Sequence, residues 1–359
     1  MTRKQEYKPV ILSEIETKKL MKNKSINFVD AFSFQVKELF IIKNPEYAGP
    51  EKEKAYQTRE FADFSKKIGK KYVYVFYPWN FSLVKTVQKK DYLELKTNRN
   101  RDLITEGEQT KLRKAKIAVF GMSVGSNIAL VLTQAGISNE ITISDFDSLD
   151  TTNLNRIIAG VHQVGLSKCA ITARHIYEDN PFAKITVLSD GVNKKNIENL
   201  LRHKKLDLIV DEVDNMAVKI DIRVLAQKYK VPVVMVTDNG ESIVLHIERY
   251  DLAHKKIFGK ELAHFESFMA PGIAREKVAE LIISDIVGGI NKVDKRMIKS
   301  VSRVIKKELV SWPQLGSAAI LAGVMATYAI KQIILGYDKR IDVRGHISPL
   351  GIQYGTHNE

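Results

Sequence analysis

The hydrophobic pattern changes its period sharply between residues 116 and 147. Residues 116–120 form a short apolar run that stops at Gly121, which predicts a buried strand. From Gly125 the apolar residues recur at the spacing of one helix face, at Ile128, Val131, Leu132 and Ala135. Gly136 ends this helix, and residues 140–144 predict a second strand that closes at Asp145. Strand, glycine turn, helix and strand form the βαβ unit of a Rossmann-like, doubly wound sheet.

The same alternation continues towards residue 250. Helices are predicted over 166–180, 194–201 and 215–229, and strands over 184–188, 206–213 and 231–236. This order implies a mostly parallel α/β sheet with helices on both faces. Residues 242–250 alternate with period two and predict an antiparallel extension, and two more helices are expected over 274–288 and 294–309.

The first 96 residues follow a different pattern. Residues 1 to about 70 are polar and helical in pattern, with a loop expected over 44–55 and an aromatic strand over 71–81 that Pro78 closes. This part contains no chemical motif. We therefore divide the chain into an N-terminal α/β cap region of unknown role, residues 1–96, and a nucleotide-binding domain, residues 97–359.

Residues 312–335 form a long apolar run. Pro313, Gln314 and Lys331 lie within it and are poorly suited to lipid, so we expect a buried or subunit-interface helix rather than a membrane span. The run is apolar on nearly all sides, which predicts burial against the domain or against a second copy of the chain. Residues 1–12 lack the apolar core of a signal peptide.

Net charge and cysteine content indicate which partners and which cellular compartment suit the chain. The chain has a formal charge of +14, spread along its length without a block of five like charges, so binding of nucleic acid is permitted but not supported. Cys169 is the one cysteine, which excludes an internal disulfide or a Cys₄ zinc site and fits a reducing cytoplasm. We expect Cys169 itself to be a small buried side chain.

The glycine turn is the first candidate site. In the sequence GMSVGS, Gly121 and Gly125 flank Ser123, and such a turn lets backbone N–H groups and a helix N-terminus face a phosphate. Asp145 follows Gly121 by 24 positions, near the roughly 20 expected for a carboxylate that holds a ribose hydroxyl. A strand-to-helix turn without a ligand would use the same glycines, so the turn alone leaves both interpretations open.

Four motifs then resemble one family. ISDFDSLDTTNLNR at 143–156, GLSKCA at 165–170 and DEVDN at 211–215 are similar, in order and spacing, to motifs of the ThiF, MoeB and ubiquitin-activating superfamily. Residues 98–117 resemble its arginine-bearing lead-in and residues 312–336 its closing helix. The resemblance extends over residues 97–336 and is closest to a bacterial branch with a G-[LM]-S-V-G turn and a TNRNR lead-in.

The resemblance implies an enzyme that adenylates a carboxylate with ATP and Mg²⁺ and releases pyrophosphate. It assigns the backbone at Gly121, Ser123 and Gly125 to the nucleotide. Asp145 would accept from the ribose and Asp147 would brace the turn. Arg156 and Lys168 would neutralise the phosphates and Asn153 would orient them. Without a nucleotide, the two cations would be ordinary surface charges.

The same resemblance assigns a metal and a partner subunit. Asp214 would hold Mg²⁺ near the α-phosphate, and Asn215 beside it would belong to the same nucleotide site. Asp214 and Asn215 could also simply cap the helix that follows them. Arg99 or Arg101 would reach the phosphates of a second subunit, which implies a homodimer.

Several departures from the motifs of this family restrict the reaction and the substrate that we expect. Family members that transfer the acyl group to sulfur carry a cysteine beyond the fifth strand and paired zinc ligands, and residues 238–312 contain no cysteine. The glutamine that usually follows the arginine is Ile157 here. We therefore expect no zinc and no enzyme thioester. The substrate would be a small carboxylate or a peptide C-terminus.

Two other functions remain open from the sequence. The fold could serve as a nucleotide-binding scaffold or sensor without turnover, or the βαβ unit with Asp145 could bind NAD or FAD in an oxidoreductase. A hydride-transfer site has no need of two phosphate cations and a metal carboxylate. Arg156, Lys168 and Asp214 therefore favour the adenylyltransferase.

Overall fold

The computed structural model describes residues 7–69, 71–204, 206–268 and 273–349. The chain forms two compact units, one from residues 1–109 with 176–182 and the other from residues 110–175 with 183–359. The division into residues 1–96 and 97–359 stays a prediction. By compactness, the lead-in segment 97–109 belongs with the first unit.

The first unit contains a four-stranded sheet in the order β1-β3-β4-β2. Its strands are β1 (Val10–Leu12), β2 (Asn27–Asp30), β3 (Tyr72–Tyr77) and β4 (Ser82–Val87). Its helices are α1 (Glu14–Leu20), α2 (Ala31–Lys43), α3 (Lys52–Ala55), α4 (Arg59–Ile68) and α5 (Lys89–Lys96). Strand β2 runs parallel to β4, and β3 runs antiparallel to β1 and β4.

Two differences from the sequence pattern occur in this unit. Strands β1 and β2 lie in the stretch expected to be helical, and they are too short to show a period of two. The aromatic strand ends at Tyr77 because Pro78 has no N–H to donate to a ladder.

Side chains of β3, of the turn after it and of α5 tie the segment 176–182 to the rest of the first unit. Tyr77 donates to the carbonyl of Tyr177 at 3.3 Å, and Trp79 Nε1 donates to Glu178 at 2.5 Å. The hydroxyl of Tyr92 and the ammonium of Lys96 both bind Asp179. These contacts make the end of one helix part of this unit.

The second unit is built on a seven-stranded sheet in the order β11-β10-β9-β8-β5-β6-β7. The strands are β5 (Lys116–Phe120), β6 (Glu140–Ser144), β7 (Lys184–Leu188), β8 (Leu208–Asp211), β9 (Val233–Asn239), β10 (Ser242–Glu248) and β11 (Asp342–Ile347). Strands β5 to β9 pair in parallel, and β10 and β11 pair antiparallel. The predicted Rossmann-like fold with an antiparallel extension is confirmed.

The remaining helices are α6 (Glu106–Lys114), α7 (Val124–Gln134), α8 (Lys168–Asp179), α9 (Lys194–Lys204), α10 (Met216–Tyr229), α11 (Arg275–Leu281), α12 (Lys295–Ile305) and α13 (Gly316–Leu335). A π-helical turn, Ile282–Val287, continues α11. Of these, α8 begins in the second unit and ends in the first. The predicted helices are present within a few residues of their expected bounds.

Helix α13 packs closely on α7 because small residues line the contact. A Cβ at Gly323 would lie 3.1 Å from the carbonyl oxygen of Asn127. The opposite face carries an exposed apolar stripe of Ile320, Val324 and Tyr328. By length and composition alone α13 could cross a membrane, but half of its apolar window is buried in the protein. This agrees with the expected buried or interface helix.

Candidate functional site

The candidate site lies at the carboxyl ends of the parallel strands of the second unit. Gly121 follows β5, Asp145 follows β6, Asp214 follows β8 and Asp238 lies near the end of β9. Gly121 has a φ of +90°, and a Cβ there would lie 2.2 Å from the carbonyl oxygen of Glu212. The glycine turn and the loop 212–215 therefore meet at one edge, as the fold prediction requires.

Asp145 braces the glycine turn. Its Oδ2 accepts from the backbone N–H of Met122 at 2.6 Å, and its Oδ1 accepts from that of Asp147 at 2.8 Å. Burial raises the pKa of Asp145, and these two hydrogen bonds counteract part of that rise. Each oxygen retains a lone pair, so the carboxylate can also accept from a ribose hydroxyl.

Arg156 lies directly on the glycine turn. Its Nε donates to Ser123 Oγ at 2.9 Å, and Asn127 donates to its backbone carbonyl at 2.8 Å. Burial lowers the pKa of Arg156, while the charges of Asp238 and Asp214 act in the opposite direction. The guanidinium is therefore bound to the turn and is stabilised by the charges of the acidic groups near the ends of β8 and β9.

Asn153 shapes the loop that carries this arginine. Its side-chain oxygen accepts from the backbone N–H of Asp150 at 3.0 Å, and its carbonyl accepts from the N–H of Arg156 at 3.0 Å. Asn153 orients Arg156 through the backbone of a short 3₁₀ turn.

Lys168 begins α8 and is almost fully buried, with 7% of its surface exposed. Its Nζ lies 2.7 Å from Asp147 Oδ2, so in the free protein the ammonium is paired. From the resemblance we expected Asp147 to brace the turn. In the structure Asp145 braces it, and Asp147 pairs with Lys168 instead. The reason is that Asp147 lies two residues further along the loop, opposite the start of α8.

Cys169 is buried beside Asp145, as expected for a small apolar side chain. Its Sγ lies 3.5 Å from the carbonyl oxygen of Asp145, and burial raises the pKa of the thiol far above its usual range. A thiol of this kind is a poor nucleophile.

Asp214 and Asn215 have different environments. Asn215 Oδ1 accepts from the N–H of Val218 at 3.1 Å and caps α10. Asp214 is exposed to solvent. Within the described residues no group of three or more His, Cys, Asp or Glu side chains is arranged around a metal position. A cation at Asp214 would therefore need additional oxygen ligands from a phosphate or water.

Two carboxyl groups at this edge were not predicted. Glu212 lies beneath the glycine turn, where its Oε1 accepts from the N–H of Val236 at 2.8 Å, and burial raises its pKa well above the usual range. Asp238 Oδ2 accepts from Gln314 Nε2 at 3.3 Å. Burial raises the pKa of Asp238 to about 6, although Gln314 and Arg156 counteract it. Their position at the carboxyl ends of buried strands is the signal that could have identified them.

A buried ion-pair network stabilises the strands that lead to this edge of the sheet. Arg223 of α10 is fully buried, and its guanidinium lies 2.5 Å from Asp211 and 2.7 Å from Glu248. Burial alone would raise the pKa of Asp211, but Lys219 and Arg223 outweigh it and hold that pKa below its usual value. The network joins α10 to β8 and β10, and so fixes the strand that leads into Asp214.

Arg99 and Arg101 belong to the first unit. Arg99 lies in a 3₁₀ turn, Asn98–Asn100, and the guanidinium of Arg101 lies 3.6 Å from Glu94. The proposed contact of either arginine with a phosphate stays a prediction.

Comparison with known proteins identifies relatives of the chain. The ThiF family profile matches residues 96–346. The chain is 29% identical over 325 residues to the "Uncharacterized protein MT1398" of Mycobacterium tuberculosis, covering 89% of this chain and 41% of that protein. It is 36% identical over 132 residues to the "Probable adenylyltransferase/sulfurtransferase MoeZ" of the same organism, covering 35% of this chain and 33% of that one. The chain thus spans less than half the length of these two relatives.

A solved structure gives the same fold. The Escherichia coli tRNA N6-threonylcarbamoyladenosine dehydratase TcdA, in complex with AMP, superposes with a TM-score of 0.50 at 21% identity. The match covers 69% of this chain and 97% of that chain. At this identity the likeness concerns the fold alone.

Proposed function

Because the chain belongs to the ThiF family, we propose that it binds ATP at the carboxyl edge of its seven-stranded sheet and adenylates a carboxylate. One observation carries the proposal. Arg156 donates to Ser123 within the glycine turn, which brings a cation to the helix N-terminus where a phosphate would bind.

The reaction is an in-line displacement at phosphorus. A carboxylate oxygen of the substrate attacks the α-phosphate, the bond to the bridging oxygen breaks, and pyrophosphate leaves with the electron pair. Charge accumulates on the phosphate oxygens, so fixed donors and cations at these positions stabilise the transition state. Backbone N–H groups of the turn and Arg156 serve this role, and Asp145 accepts from the ribose.

Lys168 supplies a second cation by exchanging partners. In the free protein it is paired with Asp147, and a phosphate oxygen would replace or share that carboxylate. Because Lys168 is almost fully buried, its interaction with a phosphate is poorly screened by solvent.

Mg²⁺ fits the exposed carboxylate of Asp214 together with phosphate oxygens. When bound, it would neutralise charge on the phosphates. The hard cation prefers oxygen ligands and often takes only one or two protein carboxylates beside a nucleotide.

The acyl adenylate is passed on without an enzyme thioester. Cys169 is buried and its pKa is raised, so the thiolate needed for attack is scarce. The final nucleophile therefore comes from a second substrate.

The test is exchange of labelled pyrophosphate into ATP across a panel of carboxylates. Wild-type protein should support exchange with at least one of them, and Lys168→Met should reduce it by about 100-fold or more. Lys184→Met removes an exposed lysine from the opposite edge of the sheet and should leave exchange unchanged. Calorimetry with each nucleotide provides a second criterion, because tighter binding of NAD than of Mg-ATP would contradict the proposal.

A further inference from the structure

Helix α12 and the turns at its two ends carry a dense set of positive charges. Residues 292–307 contain seven lysine or arginine side chains and one carboxylate, that of Asp294. All of these cations are exposed to solvent, at Lys292, Lys295, Arg296, Lys299, Arg303, Lys306 and Lys307. Apolar residues separate them along the chain, so the charges form a continuous surface only once the segment is helical.

The helix turns the charges to one side. Lys295, Lys299 and Arg303 recur every fourth residue. Together with Arg296 they lie within about a third of the helix circumference, since an α-helix has 3.6 residues per turn. Like charges four residues apart repel each other and destabilise a helix. This basic row is therefore unfavourable in the free protein, and a bound anion would relieve the repulsion.

Few carboxylates of the protein neutralise this row. Asp294 serves as the cap of α12, where its Oδ1 accepts from the backbone N–H of Arg296 at 2.7 Å and of Met297 at 3.2 Å. Arg303 lies 3.2 Å from Glu308. Among the described residues no other cation of the row forms a salt bridge. Most of the positive charge is thus available to a partner.

The opposite side of α12 is apolar and faces the protein. Val304 is buried, and Met297 and Ile298 pack against a core cluster that includes Val244 of β10 and Val287. A partner can therefore meet α12 only through its cations.

The start of the row is fixed to the sheet. The side chain of Asn239 donates to the carbonyl of Lys292 at 2.9 Å, and its Oδ1 accepts from the N–H of Asp294 at 2.9 Å. These two hydrogen bonds hold the beginning of α12 against the β9–β10 hairpin, so the cations keep a defined spacing.

We propose that α12 and its flanking turns bind nucleic acid through the phosphates of the backbone. From Lys295 to Lys306 the row rises about 16 Å, at 1.5 Å per residue, which is the length of about five base pairs of duplex. Contacts of lysine and arginine with phosphates position a nucleic acid without reading its sequence. The inference does not depend on adenylation, because no residue of the candidate site takes part.

Protein and membrane partners fit this surface less well. Interfaces between proteins are depleted in lysine and are anchored by aromatic or apolar side chains. A helix that lies on a membrane inserts its apolar face into the lipid. In α12 that face is packed against the core. A phosphate backbone requires only a row of cations.

The experiment measures binding of labelled oligonucleotides of mixed sequence by fluorescence anisotropy, at about 50–200 mM salt. Single-stranded and duplex forms of RNA and DNA are compared. Wild-type protein should bind at least one of them with a dissociation constant of about 1–100 μM, and the affinity should fall steeply as salt rises. A preference for RNA or for DNA identifies the source of the phosphates, and equal affinity shows that the backbone alone is recognised.

Variants assign the binding to α12. Lys295→Gln combined with Lys299→Gln should weaken binding by about tenfold or more, and should reduce the slope of log K against log salt by about 1.8 on a duplex or 1.4 on a single strand. Lys66→Gln combined with Lys67→Gln removes the same charge from exposed positions on α4 and should leave both quantities nearly unchanged. Circular dichroism checks that each variant is folded.

Three results would contradict the proposal. Equal losses in the two double variants would mean that binding follows net charge and not α12. Tighter binding of polyglutamate or of phosphatidylserine vesicles than of every oligonucleotide would identify a protein or a membrane as the partner. Absence of oligonucleotide binding at about 50 mM salt would remove the proposed partner altogether.

Discussion

At the scale of the residue, the carboxyl of Asp238 makes the stability of the protein depend on pH. Its pKa in the folded protein is about 6, above the ordinary value of 3.8, because burial disfavours the charged form. The folded state therefore binds a proton more tightly than the unfolded state. The contribution of this proton binding to the free energy of unfolding is fully present below about pH 4 and is lost as the pH rises through 6.

Replacing this carboxylate should stabilise the protein at neutral pH. We expect Asp238→Asn to gain about 1–2 kcal/mol at pH 7.5, after allowance for its partial exposure, and little at about pH 3.5, below the pKa of the unfolded state. Thermal unfolding at both pH values measures the difference, with Glu241→Gln as the exposed control. A variant less stable than wild type at pH 7.5 would show that the charged form is favoured in the fold.

The sequence identified some of these residues and missed others for one physical reason. Arg156 and Lys168 lie in motifs whose order along the chain resembles a family, so their place beside the turn could be expected. Glu212 and Asp238 are single carboxyls, and their significance depends on burial and on neighbours distant in sequence. The pairing of Lys168 with Asp147 is likewise a matter of side-chain geometry that spacing does not specify.

At the scale of the element, the turn between β5 and α7 depends on one glycine. Gly121 has a positive φ, and any side chain there would meet the backbone of Glu212. We expect Gly121→Ala to lower the free energy of unfolding by about 2–4 kcal/mol and to abolish ATP binding.

A second glycine provides the matched control. Gly107 lies within α6 with open space around the position of a Cβ, so Gly107→Ala should be neutral or stabilising by up to about 1 kcal/mol. Chemical denaturation of both variants and calorimetry with ATP test the pair. Equal stability of the two variants would contradict the role given to Gly121.

The elements were predictable where their periodicity was long. The alternating strands and helices from β5 to β10 appear close to their expected bounds because buried parallel strands and amphipathic helices leave clear patterns. Strands β1 and β2 contain only three and four residues. Strand β11 alternates charged and apolar residues and lies at the edge of the sheet, so little burial marks it in the sequence.

At the scale of the whole molecule, the exposed stripe on α13 predicts a homodimer. Ile320, Val324 and Tyr328 are each about half exposed and recur every fourth residue. We expect Val324→Glu to shift a dimer to monomer in sedimentation velocity, because a charge would be buried in the interface. Ile15→Glu alters an exposed apolar side chain on α1 and should leave the mass unchanged. A monomeric wild-type protein at micromolar concentration would contradict the prediction.

Subunit mixing tests whether the dimer shares its sites. A chain with Arg99→Ala and Arg101→Ala, mixed with a Lys168→Ala chain, should recover one competent site in each heterodimer. Recovery of pyrophosphate exchange would place an arginine of one chain at the nucleotide of the other. If the protein is a dimer but mixing does not recover exchange, the interface is supported and the assignment of the two arginines to the site is wrong.

The short segment 176–182 also bears on how such a chain can evolve. It includes the last turn of α8, the helix that begins with Lys168, yet it is held by Tyr77, Trp79 and Tyr92 of the first unit. A unit assembled from two separate stretches of polypeptide cannot be acquired or discarded by a single recombination at one boundary. Its gain would have required matching substitutions within the helix itself, so the two parts are expected to diverge together in related genes.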